Sequence, residues 1–372
     1  MFMKVYLDYS ATTGVDSSVL ERFNYVVENF YANPNSSHSM GKCCNEVVSS
    51  SVASICDFFG ISSDEIIFTS GASEANNTVL KGLCSGNEII TTRLEHSSIY
   101  GPCGYLQKLG YKVLFAPLDS NGIVDIDSLE RMITSDTALV SVGCVNSEVG
   151  LRQPIEEIGL RLKKYPNVLF HSDITQAVSK VKVDLTNVDM ASFSGHKFFC
   201  FKGIGGLIKK RDVKLVPLIH GGKSTSVYRS GTPSTELICA LSSAFDLICD
   251  MDDRISYVHN LNERIRKHIA FYDRIVINSN DFCIDNILNI SFMGKDANVI
   301  LEYFSSRGVY ISTKTACSSD ASYSLCIYEL YGDKDRASSS VRISLSYKTT
   351  LDEVDYFLKV LDCLMEEYDE VN

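Results

Sequence analysis

Several features that mark other classes of protein are missing from this sequence of 372 residues. No apolar run approaches the length of a membrane-spanning helix, and the first ten residues, MFMKVYLDYS, lack the apolar core of a signal peptide. None of the 13 cysteines form a C-x-x-C pair, so neither a zinc ribbon nor another bound metal is expected. The net charge of -11 is the opposite of the basic excess that nucleic-acid binding requires. We therefore expect a cytoplasmic protein with free thiols that binds neither membrane nor nucleic acid.

The composition is that of a soluble globular protein. Hydrophobic residues make up 45% of the chain and charged residues 22%, and the length is sufficient for two domains with their own cores. The acidic balance has two interpretations: solubility alone, or a surface that attracts a basic protein partner.

Strand-like and helical patterns alternate through the first two thirds of the chain. The strand-like runs include EIIFTS, NEIITT, YKVLFAPL, TALVSVGCV, VLFHS, DMASFS and GGLIKK, with helical patterns between most of them. This order predicts an α/β fold with a mostly parallel sheet covered by helices. After Thr232-Pro233 the pattern changes to one long amphipathic stretch, residues 234–272, followed by a smaller α+β tail. We predict a large domain of residues 13–240 and a small domain formed by residues 1–12 and 241–372.

Polar residues follow several of the predicted strands. EIIFTS is followed by Gly71-Ala72-Ser73 at a helix start, NEIITT by His96, and TALVSVGCV by Asn146. Ligands of open α/β sheets bind beyond the carboxyl ends of the strands, so these residues are candidates for one site.

The next two strands end with an acid and a lysine. NVLFHSDITQ delivers Asp173, and VDMASFSGHK delivers Lys197. A lysine amine can condense with the aldehyde of pyridoxal phosphate (PLP), and a carboxylate can pair with the pyridine nitrogen and keep it protonated. The pair therefore indicates a PLP enzyme that stabilises a substrate carbanion.

Each of these residues also has an ordinary structural interpretation. The turn at Ser70–Ser73 could be a simple helix N-cap instead of a phosphate site, and Asp173 could cap the next helix. Lys197 could be a solvated surface lysine. His96 could be a hydrogen-bonded loop histidine instead of a ring that stacks on a cofactor and carries protons.

Taken together, the motifs resemble the cysteine desulfurases, which are fold-type I PLP enzymes of the class-V aminotransferase group, and in particular the subgroup that supplies iron–sulfur cluster assembly. The resemblance runs from Tyr6 to about Asp355. It implies a large domain with a mostly parallel, seven-stranded sheet and a smaller α+β domain. The matching strings, in order, are YLDYSATT, NP-x-SSH, FTSGASEANN, EH, VNSEVG, HSDITQ, SFSGHK, KGIGG, HGG, RSGT, ILNISF, TAC and VRISLS.

The resemblance assigns roles around the cofactor ring. It implies that Lys197 is the Schiff-base lysine, that Asp173 pairs with the pyridine nitrogen, that Gln176 contacts the phenolic oxygen, and that His96 stacks on the ring.

It also assigns the phosphate contacts. These fall to Ala72 by its backbone, Ser73, Ser194 and His196, while Thr232 would reach the phosphate of a neighbouring subunit in a homodimer.

Around the substrate, L-cysteine, the resemblance places Asn146 and Asn33 near substrate and cofactor. Arg342 would bind the substrate carboxylate, a task that suits a planar guanidinium. Cys317 would be the mobile nucleophile that takes up sulfur as a persulfide and passes it to an acceptor or scaffold protein. Without the resemblance, an incidental loop cysteine would be the favoured interpretation of Cys317, although Lys314 nearby would favour its thiolate.

Some positions depart from the family pattern. S-T-K-T-A-C stands where S-S-G-S-A-C is usual, which places Lys314 at a glycine position; Ser147 replaces the second asparagine of N-N-E; and FCFKG, with Cys200, replaces Y-G-P-K-G. Three functions therefore compete: a cysteine desulfurase; a selenocysteine lyase or another class-V aminotransferase-like enzyme; and a non-catalytic scaffold. Cys317 favours sulfur or selenium chemistry, because an aminotransferase needs no mobile thiol.

Overall fold

The computed structural model describes residues 3–223, 226–313 and 323–370. These residues form twelve strands and twelve α-helices. The strands are β1 (Val5–Tyr6), β2 (Ile66–Thr69), β3 (Glu88–Thr91), β4 (Lys112–Phe115), β5 (Thr137–Ser141), β6 (Leu169–Asp173), β7 (Met190–Ser194), β8 (Gly205–Lys209), β9 (Ile275–Ile277), β10 (Ile287–Phe292), β11 (Val309–Tyr310) and β12 (Ser340–Ser344).

The helices largely match the amphipathic patterns of the sequence. They are α1 (Ser17–Asn29), α2 (Ser39–Phe59), α3 (Ala72–Lys81), α4 (Ser97–Lys108), α5 (Ile126–Met132), α6 (Ile155–Leu162), α7 (Thr235–Asp246), α8 (Met251–Ile269), α9 (Ala297–Ser306), α10 (Leu325–Tyr331), α11 (Lys334–Ser338) and α12 (Leu351–Glu370). None of these helices within the described ranges has the length and apolarity needed to cross a membrane.

A seven-stranded sheet in the order β2-β8-β7-β6-β5-β3-β4 forms the centre of the molecule. Strands β4, β3, β5, β6 and β7 are mutually parallel, while β8 runs antiparallel to both β7 and β2. The predicted mostly parallel α/β sheet is thus confirmed. Because β8 is the one reversed strand, the carboxyl ends of β2, β3, β5, β6 and β7 lie along the same edge.

Apolar side chains cover both faces of this sheet. One face packs under α1, α2, α6 and α7, with Phe193, Phe198 and Phe245 among its fully or nearly fully buried residues. The opposite face packs under α3 and α4, where Val79 and Ile99 are buried. Burial on both faces explains why the strand sequences read as continuous apolar runs instead of alternating patterns.

The later part of the chain builds a separate core. Strands β12, β10 and β9 form an antiparallel three-stranded sheet, and β1 pairs with β11. Residues from α8, α9 and α12, including Ile265, Phe304 and Phe357, pack against the three-stranded sheet. Two separate cores are in keeping with the predicted division into residues 13–240 and residues 1–12 with 241–372, which stays a prediction.

The long amphipathic stretch predicted for residues 234–272 is two helices, not one. Helix α7 ends at Asp246, α8 begins at Met251, and Asp250 between them has a φ of +49°. Aspartate tolerates this left-handed conformation better than most residues, which lets the chain turn without a glycine. The sequence pattern missed the break because apolar spacing continues across it.

Candidate active site

The carboxyl edge of the seven-stranded sheet opens into a cavity of about 420 Å³. Its walls come from the segments that follow β2, β3, β5, β6 and β7, together with Ser10 and Ala11 near the N-terminus and Arg342 from β12. Ten of the predicted site residues line it: Ala72, Ser73, His96, Asn146, Asp173, Gln176, Ser194, His196, Lys197 and Arg342.

Lys197 lies at the end of a short 3₁₀ turn, Gly195–Lys197, which directly follows β7. Its Nζ donates hydrogen bonds to the backbone carbonyls of Ser10, at 2.5 Å, and Ala11, at 2.9 Å. These two acceptors bind the amine without neutralising it, because neither is a carboxylate. The lysine is therefore fixed at the cavity wall by groups that can release it.

Asp173, the last residue of β6, is held from two sides. Its Oδ2 accepts a hydrogen bond from Asn76 Nδ2 at 2.8 Å, and its Oδ1 accepts one from the backbone N–H of Thr175 at 2.9 Å. Asn76 is fully buried on α3, where it also donates to Ser98 Oγ at 2.8 Å. Neutral donors thus orient the carboxylate and leave its negative charge available to a cationic ring nitrogen.

Two histidines line the cavity, and both favour the neutral form. Burial lowers the pKa of His96, an effect that exceeds the opposing influence of Asp173. His96 also caps α4, because its Nδ1 lies 2.8 Å from Ser98 Oγ and accepts from the Ser98 N–H. Burial and then the positive charge of Lys197 lower the pKa of His196 to about 4. Its Nδ1 lies 3.1 Å from Thr12 Oγ1.

The first turn of α3 forms one end of the cavity. Gly71, with a φ of +150°, precedes Ala72 and Ser73, whose N–H groups belong to the unsatisfied first turn of a helix. At Gly205 a Cβ atom would lie 2.8 Å from Gly71 Cα, so this turn and β8 approach each other closely. Such a turn with nearby hydroxyl and imidazole groups suits a phosphate.

Arg342 is 2% exposed and is held at the opposite wall. Its Nη2 pairs with Asp8 Oδ1 at 2.6 Å, and its Nη1 donates to the Ser147 carbonyl at 2.8 Å. Its Nε has no hydrogen-bond partner among the described residues. A guanidinium fixed in this way could bind a carboxylate with its remaining donors.

The cavity leaves polar groups unsatisfied that PLP could engage. Ser10 Oγ and Thr175 Oγ1 are buried at residues of the cavity wall, and neither has a hydrogen-bond partner in the described part of the chain. The same cavity contains the Lys197 amine, which could bond to the aldehyde, and the Asp173 carboxylate, which could pair with the ring nitrogen. It also contains the start of α3, which could bind the phosphate. The residues therefore fit this cofactor.

Two buried groups at the site were not predicted from the sequence. Glu95 lines the cavity, and burial raises its pKa to about 7, with the negative charge of Asp173 adding to the effect. Lys180 lies behind the cavity, and burial together with the positive charge of Lys197 lowers its pKa to about 7. The signal for Glu95 was its place in the EH string; the signal for Lys180 was a lysine inside the apolar run AVSKVKV.

Three predicted residues lie elsewhere. Asn33 is exposed in the loop before α2, where its Oδ1 accepts from the Asn35 N–H, and it does not line the cavity of its own chain. Thr232 lines a smaller cavity of about 100 Å³ that shares Ser70 and Gly203 with the main one. Cys317, like Lys314, lies outside the described residues. The roles given to all three stay predictions.

Comparisons with known proteins agree with the site. The family model described as "Aminotransferase class-V" matches residues 5–357. The cysteine desulfurase IscS of Dictyoglomus turgidum is 34% identical over 380 residues, which cover 99% of this chain and 96% of that protein. The solved structure of a NifS-like protein, 33% identical, has a TM-score of 0.92 and covers 98% of this chain and 100% of its own. That of SspA in complex with cysteine is 30% identical, with a TM-score of 0.82 and coverage of 93% and 100%.

These matches span almost the whole chain and include the strands, turns and helix starts that form the cavity. The chain therefore belongs to the class-V aminotransferase family, with cysteine desulfurases among its relatives.

Proposed function

We propose that this protein is a PLP-dependent cysteine desulfurase that converts L-cysteine to L-alanine. The observation that carries the proposal is the placement of Lys197 and Asp173 on neighbouring strand ends, in one cavity with the α3 turn. The relatives named cysteine desulfurase support the choice of substrate within this family.

The cofactor would be held by residues already in position. Lys197 would bond to its aldehyde carbon, Asp173 would pair with its ring nitrogen, and Gln176 would contact its phenolic oxygen. The phosphate would meet the α3 turn and the Ser194 and His196 side chains. When bound, PLP supplies an electron sink for the negative charge that develops on the substrate α-carbon.

The chain's own groups would bind the substrate and move its protons. Arg342, which already has two protein partners, would bind the carboxylate of L-cysteine with its remaining donors. Lys197 would accept the proton of the α-carbon, since its carbonyl partners leave the nitrogen able to change bonds. The neutral His96 ring would lie against the cofactor, and Asn146 would lie beside the substrate. That a relative was solved with cysteine supports this substrate.

The sulfur step would fall to Cys317. Its thiolate would attack the substrate sulfur, the bond between that sulfur and the substrate β-carbon would break, and the carbon fragment would take up protons and leave as alanine. One cysteine and one protein thiol thus give one alanine and one persulfide, without an added oxidant. An acceptor or scaffold protein would then take the sulfur, as in iron–sulfur cluster assembly, in the cytoplasm.

The activity assay separates this function from the alternatives. PLP-loaded protein is incubated with L-cysteine and a thiol reductant, and alanine and sulfide are measured. We expect both products in equal amounts, and no sulfide from Cys317→Ser. The control is Cys249→Ser, which removes an exposed thiol outside the cavity. Alanine without sulfide, or sulfide at the normal rate from Cys317→Ser, would contradict the sulfur step; activity on selenocysteine alone would favour a lyase.

We further propose a homodimer in which Thr232 completes the neighbouring site. A mixed dimer of one Lys197→Ala chain and one Thr232→Val chain tests this point. If Thr232 serves the partner, one of the two sites contains both residues intact and the mixed dimer is more active than either parent. If Thr232 serves its own chain, no intact site forms and activity stays at the level of the parents.

A further inference from the structure

Lys180 is a buried amine without a carboxylate partner. It lies seven residues after Asp173, in the turn that follows β6, and is 7% exposed. Its Nζ has two oxygen acceptors, Gln176 Oε1 at 3.3 Å and the Lys197 carbonyl at 3.5 Å. Among the described residues no acid lies within ion-pair distance of it. A buried charge with so little compensation is costly, so its retention calls for a reason.

The first consequence concerns the orientation of Gln176. An amide side chain can usually be turned so that its nitrogen and oxygen exchange places. Here Lys180 can only donate, so it selects the oxygen of Gln176, while Gln176 Nε2 donates to the Ser10 carbonyl at 2.8 Å. The amide NH₂ is thereby directed to the side of the cavity where Lys197 also contacts Ser10.

The second consequence is electrostatic. Lys180 interacts electrostatically with two titratable groups, Lys197 and His196, and both lie in the turn after β7. Gln176, on its own turn, is neutral. Two nearby positive charges repel each other, so a proton on Lys180 makes protonation of the Lys197 nitrogen less favourable.

We propose that Lys180 is a positioning residue that fixes the amide of Gln176 and, at pH values low enough for Lys180 to carry a proton, favours the unprotonated form of the Lys197 nitrogen in the cofactor-loaded protein. The inference rests on the proposed cofactor chemistry. It gives this buried lysine a role that does not require contact with the substrate. An unprotonated nitrogen is the form that can accept a proton.

Three variants separate the two effects. Lys180→Met removes both the hydrogen bond and the charge, Lys180→Gln removes the charge but keeps a donor, and Lys180→Arg keeps the charge. The matched control is Lys182→Met, two residues further on, which removes an exposed lysine paired with Asp252. The readout is a pH titration of the absorption band of the lysine–cofactor bond, without substrate.

We expect the midpoint of this titration to rise by about one pH unit in Lys180→Met and Lys180→Gln, and to stay in place in Lys180→Arg and Lys182→Met. Cofactor affinity should fall in Lys180→Met and be retained in Lys180→Gln. An unchanged midpoint in the two uncharged variants would overturn the proposal. If Lys180→Met does not fold, the pair of Lys180→Gln and Lys180→Arg decides the electrostatic effect. If the native protein forms no such band, the proposed function itself is refuted. That result is distinct from a normal band whose titration midpoint is unchanged in the Lys180 variants.

Discussion

Glu95 provides a quantitative test of the electrostatics at the cavity, through the substitution Glu95→Gln. The carboxylate accepts a hydrogen bond from Thr92 Oγ1 at 2.8 Å, and both of its oxygens accept from the Gly143 N–H, at 3.0 and 3.1 Å. These donors stabilise the ionised form. Burial and the nearby Asp173 outweigh them and raise the pKa of Glu95 from 4.5 to about 7.

The sign of the pH effect follows from this direction. Between pH 4.5 and about 7 the unfolded chain has lost the Glu95 proton while the folded protein still holds it. The folded state therefore loses stability as the pH rises through this range. A shift of this size corresponds to about 3 kcal/mol. Protein atoms surround Glu95, but one side faces the open cavity, where water screens the charge. We therefore expect a loss of about 2 kcal/mol.

The assay is urea unfolding of the cofactor-free protein at about pH 5 and about pH 8. Glutamine cannot ionise, so the free energy of unfolding of Glu95→Gln minus that of the native protein should be about 2 kcal/mol larger at the higher pH than at the lower pH. Glu157→Gln, at an exposed position of α6, controls for the loss of one acid. A difference between Glu95→Gln and the native protein that is the same at both pH values would show that Glu95 does not titrate between them.

Three further substitutions test two residues of the cavity wall, Arg342 and Asp173, and the close packing of β8 at Gly205. Arg342→Lys cannot keep both protein contacts and still offer two donors to a carboxylate, so apparent affinity for cysteine should fall at least about tenfold in steady-state kinetics; an unchanged KM would place the carboxylate elsewhere. Asp173→Asn removes the negative charge proposed to pair with the ring nitrogen and should lower kcat about a hundredfold or more, whereas near-normal turnover would contradict that pairing. Gly205→Ala places a Cβ 2.4 Å from the Phe193 carbonyl and should lower the free energy of unfolding by about 1–3 kcal/mol, while Gly14→Ala, with no atom within 4 Å, should not.

The residues that end parallel strands were predictable from the sequence. Asp173 and Lys197 follow apolar runs, and parallel strands place their carboxyl ends at one edge, so the two could be assigned to one site before their contacts were known. His96 and Asn146 could be assigned to the same site for the same reason, because each follows a predicted parallel strand. This assignment requires only that the strands be parallel and not their exact order in the sheet, and a βαβ pattern predicts parallel strands.

Residues whose role depends on burial were not predictable in this way. Lysine and glutamate are usually exposed, and neither the EH string nor the apolar run AVSKVKV shows that Glu95 and Lys180 are enclosed at the site. Their environment arises from segments distant in the sequence: Lys180 meets the turn after β7, and Glu95 meets Gly143 after β5. The break at Asp250 was missed for a related reason, since apolar spacing reports which face is buried but not where the backbone turns.

The proposed function depends most directly on the attachment of the cofactor to Lys197. PLP-loaded protein is reduced with borohydride, digested, and analysed by mass spectrometry for the lysine that carries the phosphopyridoxyl group. We expect the group on the peptide that contains Lys197, and none on Lys180, which is buried behind the cavity. Attachment at Lys180 or at a surface lysine, with Lys197 unmodified, would contradict the account.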